Sequence, residues 1–405
     1  MKIVYLILAF LVAFAKPIDA QRIKGGSKRL DIPFTLENDF IVIDVRINRL
    51  LYLKFIFDTG AEYTIMTKRE YADILGIRFE REFRILGSDM TTELVAYLAR
   101  GINFSMGDIE SARQDILVMG DDYYKFEAIT GVDVHGIIGA NFFNRYIVRI
   151  DYERRIISLY EPKYFKPPKK FTPIPVDIYK NKIYFEAESK LLPQDSTLSL
   201  KYLLDTGASL SLMLFTDTDE SLNLPGNVIR GNIGRGLGGD IEGFIGRFSE
   251  LNLGPHKLTN LIGNFQEIYP YMDTSERNGR NGLIGNTVLK RFEIIIDYYK
   301  AMVYLRPNRS FKSKFKFDRS GIVFVASGDN LDDYVINFVL PGSPAFDADI
   351  RKGDIIKRVN WIPAKMLTMK NIYNKFYGKI GKRVKLTLER DGEKIQKIFY
   401  LREIL

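Results

Sequence analysis

The sequence predicts a mostly β protein built from two copies of one domain followed by a smaller α/β unit. Three observations lead there. Phe55-Ile-Phe-Asp-Thr-Gly-Ala-Glu-Tyr-Thr-Ile-Met66 returns as Tyr202-Leu-Leu-Asp-Thr-Gly-Ala-Ser-Leu-Ser-Leu-Met213, with Asp58 and Asp205 147 positions apart. A second block, His135-Gly-Ile-Ile-Gly139 with Arg145–Tyr152, returns as Asn281-Gly-Leu-Ile-Gly285 with Arg291–Tyr298, and Gly139 and Gly285 are 146 apart. Two blocks at nearly one offset indicate a duplication. After Pro307 the texture changes, and a unit unlike either copy begins near Phe317.

From the N-terminus, Lys2 precedes an unbroken apolar run, Ile3–Ala15. A bilayer takes about 20 such residues, so the run fits the core of a secretory signal over residues 1–20. Cleavage is expected after Ala20, with Ala13-Phe14-Ala15 as the alternative and an uncleaved anchor as the rival. No later run reaches membrane length. The mature chain is therefore expected outside the cytoplasm, periplasmic or extracellular.

The first copy spans roughly Leu30–Glu161 and the second roughly Phe171–Pro307. Runs such as Phe40–Ile47, Leu51–Phe57, Arg145–Tyr152 and Ile156–Tyr160 are rich in Ile, Val, Phe and Tyr and read as strands. Thr67–Leu75 and Asn141–Arg145 are the helical candidates, the latter with Asn141 as N-cap. Pro167-Pro168 in a Lys-rich stretch cannot continue a ladder and marks a linker. The third unit, Phe317–Leu405, alternates strands (Tyr334–Val339, Arg383–Glu389, Lys397–Leu401) with a helix at Thr368–Phe376. Arg390-Asp391-Gly392-Glu393 is a hairpin turn.

Composition narrows the chemistry. The 405 residues are 46% hydrophobic and 27% charged, an ordinary globular balance. There is no cysteine, which excludes disulfides, thiol nucleophiles and Cys-zinc sites. The two histidines, His135 and His256, are too few for a His-rich metal site, and both read as structural. No metal and no cofactor are expected. The formal net charge is +9. Its denser segments, Lys163–Lys170 and Arg306–Arg319, read as solvated linkers ahead of contacts with an acidic polymer, and no nucleic-acid partner is expected.

A carboxylate at the end of a buried strand is costly to ionise unless hydrogen bonds support it. In Asp58-Thr59-Gly60-Ala61 the Thr hydroxyl can hold a partner loop, and Gly lets backbone amides approach the carboxylate. One copy of such a motif is also a good turn. Two copies, each after an apolar strand in duplicated domains, predict that pseudo-twofold packing brings Asp58 and Asp205 face to face. Two close carboxyls share a proton, so one acts as base on a water while the other donates to a carbonyl.

These motifs resemble the aspartic proteases of the pepsin and retropepsin type. The resemblance rests on both Asp-Thr-Gly-Ala motifs and on Ile137-Ile138-Gly139 and Leu283-Ile284-Gly285, and it covers about Leu30–Pro307. It implies two pseudo-twofold-related acid-protease β-barrel lobes, short for pepsin lobes and more like two retropepsin subunits in one chain. It implies an aspartic endopeptidase with Asp58 and Asp205 as the catalytic pair. Thr59 and Thr206 would interlock the loops, Gly60 and Gly207 shape them, and Ala61 and Ala208 stand where pepsins carry a hydroxyl. Losing that hydroxyl implies a less acidic working range than pepsin's. The substrate implied is a polypeptide in the inter-lobe cleft, and a monomer suffices because both lobes lie in one chain.

Family members cover the substrate with hairpin flaps. The candidates are Arg84–Val95, with Gly87 and Ser88 at its turn, and Gly231–Gly243, with Gly236, Gly238 and Gly239. The second spells Gly234-x-Gly236-x-x-Gly239, but without the strand–helix context of a dinucleotide site. The C-terminal unit, through Leu340-Pro-Gly-Ser-Pro-Ala…Gly353-Asp-Ile-Ile, resembles a PDZ domain of the kind found in bacterial envelope proteases. That implies a peptide or protein C-terminus bound as an added strand, with Gly321, Ile322, Val323, Phe324 and the helix Thr368–Phe376 forming the groove. A non-catalytic peptide-binding protein using both grooves is the first rival reading. A two-carboxylate glycosidase is the second, and it is disfavoured because acid and nucleophile need different surroundings.

Overall fold

The computed structural model describes residues 22–23, 28–86, 92–107, 109–110, 114–191, 197–236, 239–267 and 278–405. The expected signal segment, Gly87, Ser88 and Gly238 lie outside them. The fold is mostly β, in four sheets among the described residues.

The first lobe contains β1 (Arg29–Pro33), β2 (Phe40–Ile47), β3 (Leu51–Phe57), β4 (Ile65–Met66), α1 (Arg69–Ile74), β5 (Phe79–Leu86), β6 (Glu93–Ile102), β7 (Gln114–Met119), α2 (Phe126–Thr130), β8 (Gly136–Ile138), α3 (Ala140–Phe143), β9 (Ile147–Asp151) and β10 (Ile156–Tyr160). The second contains β11 (Thr172–Pro175), β12 (Lys182–Leu191), β13 (Thr197–Leu204), β14 (Leu212–Phe215), β15 (Val228–Gly236), β16 (Gly239–Leu253), β17 (His256–Gln266), β18 (Gly282–Ile284), α4 (Asn286–Leu289), β19 (Phe292–Asp297) and β20 (Met302–Pro307).

Each lobe carries its own sheet, and the strand paths match. The first runs β2-β3-β8-β4-β7-β6-β5 and the second β12-β13-β18-β14-β17-β16-β15. A third sheet, β11-β20-β19-β9-β10-β1, joins the lobes. At its centre β9 pairs antiparallel with β19, and Arg149 faces Ile295, its own repeat equivalent. An antiparallel pair between equivalent strands is itself a local twofold, so the duplication and the symmetry coincide here. Beside that pair Glu293, 3% exposed, is neutralised by Arg149 and Arg306. A charge this deep requires such partners. One continuous apolar core, from Leu30 to Phe315, runs through both lobes.

The third unit has its own sheet, β21 (Ile322–Ser327), β22 (Asp333–Val339), β23 (Ile355–Val359), β24 (Arg383–Arg390) and β25 (Glu393–Tyr400), with α5 (Pro344–Asp347) and α6 (Met369–Phe376). Its core is separate, built around Phe324, Ile336, Ile372, Phe376 and Leu386. Thr368 caps α6 by accepting from the Asn371 amide. The β24–β25 turn places Asp391 at φ 52° and Gly392 at φ 82°, the two positive values that a two-residue hairpin requires.

Two expectations need correction. Asn141 is not an N-cap: Gly139 occupies that position, and Asn141 Oδ1 instead accepts from the amide and hydroxyl of Thr64. The Arg306–Arg319 stretch is not simply a solvated linker. Phe315 is buried against the Arg291 guanidinium, and Arg319 is tied to Glu403 and the Gly378 carbonyl. An aromatic ring among the charges gives this segment something to bury, which a charge count alone does not register.

Candidate active site

Strand β3 ends at Phe57 and β13 at Leu204, each one residue before its aspartate. Each is held by a parallel neighbour: β8 runs beside β3, and β18 beside β13. The Asp58 amide donates to the Ile138 carbonyl and the Asp205 amide to the Ile284 carbonyl, both at 3.0 Å. This is what the second repeated block does. It fixes the point at which each carboxyl leaves its strand.

The two loops then lock together. The Thr59 amide donates to Thr206 Oγ1 at 3.0 Å, and the Thr206 amide donates to Thr59 Oγ1 at 3.1 Å. The hydroxyls pass the bonds on, Thr59 to the Leu204 carbonyl at 2.8 Å and Thr206 to the Phe57 carbonyl at 2.9 Å. Both threonines are fully buried. The amide and hydroxyl of both threonines are paired, which a buried polar cluster requires.

Beyond the threonines, each carboxyl lies against the glycine of the opposite loop. A Cβ at Gly60 would stand 2.6 Å from Asp205 Cγ, and one at Gly207 would stand 2.2 Å from Asp58 Cγ. No side chain fits there, so the glycines set how closely the carboxyls approach. Asp58 Oδ1 accepts from the Gly60 amide at 2.6 Å and the Ala61 amide at 3.2 Å, and Asp205 Oδ1 from the Gly207 amide at 2.8 Å. The two carboxyls stand close enough that each acts on the other's ionisation.

That geometry separates their acidities. Burial, then the negative charge of Asp205, raises Asp58 well above the usual carboxylate range. Burial also raises Asp205, but the Arg280 guanidinium and the Gly207 amide work in the opposite direction. Both carboxyls are thus raised, with the Arg280 cation opposing the rise at Asp205. Such an arrangement can divide acid and base roles between two carboxyls.

Three neighbours were not among the sequence candidates. Tyr124 stacks on Phe126 with ring centroids 4.4 Å apart, in a cluster that includes Ala61. Burial, then the charges of both Asp58 and Asp205, pushes its hydroxyl pKa up, so this phenol stands within reach of their field. Arg280 is the cation that favours the Asp205 anion. Asn286, fully buried, donates to the Thr206 carbonyl at 2.5 Å and accepts from the Tyr152 hydroxyl at 2.6 Å. The Tyr123-Tyr124 pair before Phe126 was the only hint of the first. The other two act across long sequence separations and leave no local pattern.

Both flap segments are antiparallel hairpins. β5 pairs with β6, and β15 with β16, whose Gly236 faces Gly239 next to the undescribed tip. Gly321, Ile322 and Val323 do not join the carboxyls but line a cavity between the second and third units. Phe324 lies in the third unit's core, 1% exposed and stacked on Tyr373, so it faces inward rather than into an open groove. His135 is buried, accepting from the Lys54 amide at 3.3 Å, and His256 meets Thr172 at 3.0 Å. No cluster of His, Asp and Glu suited to a metal occurs among the described residues, and none of their helices is long and apolar enough to cross a membrane.

Against this geometry stands one family match. The model of a family described as aspartyl protease matches residues 43–142 and again 195–288, one stretch in each lobe. Each stretch contains one Asp-Thr-Gly-Ala motif and its downstream Gly signature. The double match supports a protease in general, with polypeptide as the class of substrate. No curated protein matches the chain.

Proposed function

We propose that this protein is an aspartic endopeptidase in which Asp58 and Asp205 share one proton across the pseudo-twofold. One observation carries the reading: each carboxyl packs on the other loop's glycine while the threonines interlock beneath. A peptide bond lies above the pair, in the cleft between the hairpins. Asp205, ionised, takes a proton from a water as it attacks the carbonyl carbon. Asp58, protonated, donates to the carbonyl oxygen; the C–N bond then breaks as Asp205 passes its proton to the nitrogen and Asp58 takes one back from a hydroxyl of the tetrahedral intermediate. No covalent intermediate forms. The Gly60, Ala61 and Gly207 amides hold the carboxyls in place through each proton transfer.

The three units are proposed as residues 30–161, 171–307 and 317–405, the last a PDZ-like peptide-binding unit. The Ile3–Ala15 run supports export, and N-terminal sequencing of the protein from cell fractions tests it. The catalytic reading is tested by digesting a mixed peptide library from pH 3 to 8 with the wild type, Asp58→Asn and Asp205→Asn. Internal cleavage abolished by either substitution supports it. Peptide binding without cleavage at any pH makes the protein a recognition module instead.

A further inference from the structure

A cavity of about 520 Å³ lies where the second lobe, the Asn38-Asp39 turn of the first lobe, the connecting segment and the third unit meet. Its size falls in the ordinary range for ligand sites. One wall starts just past the Asp205 loop, at Ser209, Leu210 and Ser211, and continues on the hairpin at Asn232. The facing wall is the start of β21, with Val323, and the end of β22, with Phe338. The two walls belong to different units. Ser209 lies four residues past Asp205, so this wall continues the chain directly from the second carboxyl. The lining mixes apolar side chains, hydroxyls and amides with the charges of Asp39, Lys290, Arg291, Lys314, Lys316 and Asp318, a variety that suits a polypeptide.

The start of β21 also shows which part of a polypeptide fits. Asp318 Oδ1 accepts from the Ser320 amide at 2.9 Å, the Ser320 hydroxyl at 2.8 Å and the Gly321 amide at 2.5 Å. The Ile322 amide donates to Ser320 Oγ at 3.1 Å. These are the donors that would capture a peptide's terminal carboxylate, and the chain fills them itself. Burial pushes Asp318 up to about 6, so at neutral pH it is still mostly charged and repels a second carboxylate. The first lobe packs against the same unit: α2 lies beside β21, and a side chain at Gly131 would meet Met369 Sδ at 3.2 Å.

We propose that this cavity is a distal subsite of the cleft, in which an internal stretch of the polypeptide substrate, several residues from the scissile bond on one side only, seats between Ser209–Ser211 and the Val323–Phe338 wall. The third unit is then part of the substrate site rather than a separate receptor for free C-termini. The proposal rests on the peptidase reading.

The test uses the full chain and a peptide series that keeps one cleaved core and lengthens it stepwise on either side. The expected result is a rise in kcat/KM of about 10-fold on one side and none on the other, since remote binding is converted into turnover. Amidated and free-acid peptides ending in the cavity should not differ in favour of the acid. Val323→Asp and Phe338→Ser should collapse the long-to-short ratio toward one, with melting curves checking that both variants fold. Equal cleavage of all lengths overturns the subsite and leaves the peptidase standing. A preference for the free acid overturns it in favour of a terminus trap. No cleavage at any length overturns both readings.

Discussion

The two lobes repeat Asp-Thr-Gly-Ala without a change, yet their carboxyls are not equivalent. Asp58 accepts two backbone amides and still sits higher, because it is buried beside the Asp205 charge. Asp205 is held lower by Arg280, whose position in the first lobe's equivalent stretch is taken by Val134. Identical motifs place two carboxyls in equivalent positions, and one unmatched cation works against the rise at only one of them. The hairpins differ too. The second lobe's arms are 9 and 15 residues against 8 and 10 in the first, and the longer pair carries the cavity wall shared with the third unit. Symmetry builds the site, and departures from symmetry give it direction.

The most severe test of this comparison is to remove each carboxyl. Asp58→Asn and Asp205→Asn should each lower kcat by about 10²–10⁴-fold, the usual worth of a positioned acid or base. A variant that keeps near-wild-type turnover would show that one lobe works alone. Next come the glycines. Gly207→Ala puts a methyl against the Asp58 carboxyl and should cost about 1–3 kcal/mol in urea denaturation along with peptidase activity. Gly60→Ala, with slightly more room, should cost less, and the reverse order would contradict the packing.

The threonine interlock should behave as one unit. Thr59→Val and Thr206→Val each strand a buried amide, at about 1–3 kcal/mol apiece. Together they should cost less than the sum, as a double-mutant cycle on melting data would show. Additive losses would mean that the loops are held independently.

Subtler is the pH profile. Activity is lost on the acid side as Asp205 takes a proton and on the basic side as Asp58 gives one up. Both raised pKa values shift this bell upward from that of an ordinary carboxylate pair. Arg280→Gln removes the cation that favours the anion, so the acid limb of kcat/KM should move up; movement downward would exclude Arg280 from its assigned role. The smallest effect concerns stability. A carboxyl raised in the folded state stabilises it below the unfolded pKa, and that contribution is lost as pH rises through the folded value. Asp58→Asn should therefore melt higher than wild type at neutral pH, on the order of 1–2 °C, with no advantage near pH 3.

Much of this was legible in one dimension. The duplication, the strand at Leu51–Phe57, the Asp-Thr-Gly-Ala loops and the hairpin at Asp391-Gly392 all rest on local patterns or on self-similarity, which a linear reading detects. Asn141 was misread because a residue after a strand looks like a cap until its partner, Thr64, is seen beside it. The buried Phe315 was hidden by the charges around it.

By itself, then, the sequence determined that two carboxyls exist in equivalent loops, because burial of alternating apolar residues dictates the strands and their ends. The fold in three dimensions was needed to show that each carboxyl packs on the opposite loop's glycine, that Arg280 acts on Asp205, and that Asp318 fills the donors at the start of β21. Those outcomes depend on distances of a few ångströms between residues far apart in the chain. Electrostatic energy changes steeply over such distances in a dry site, and no local pattern encodes it.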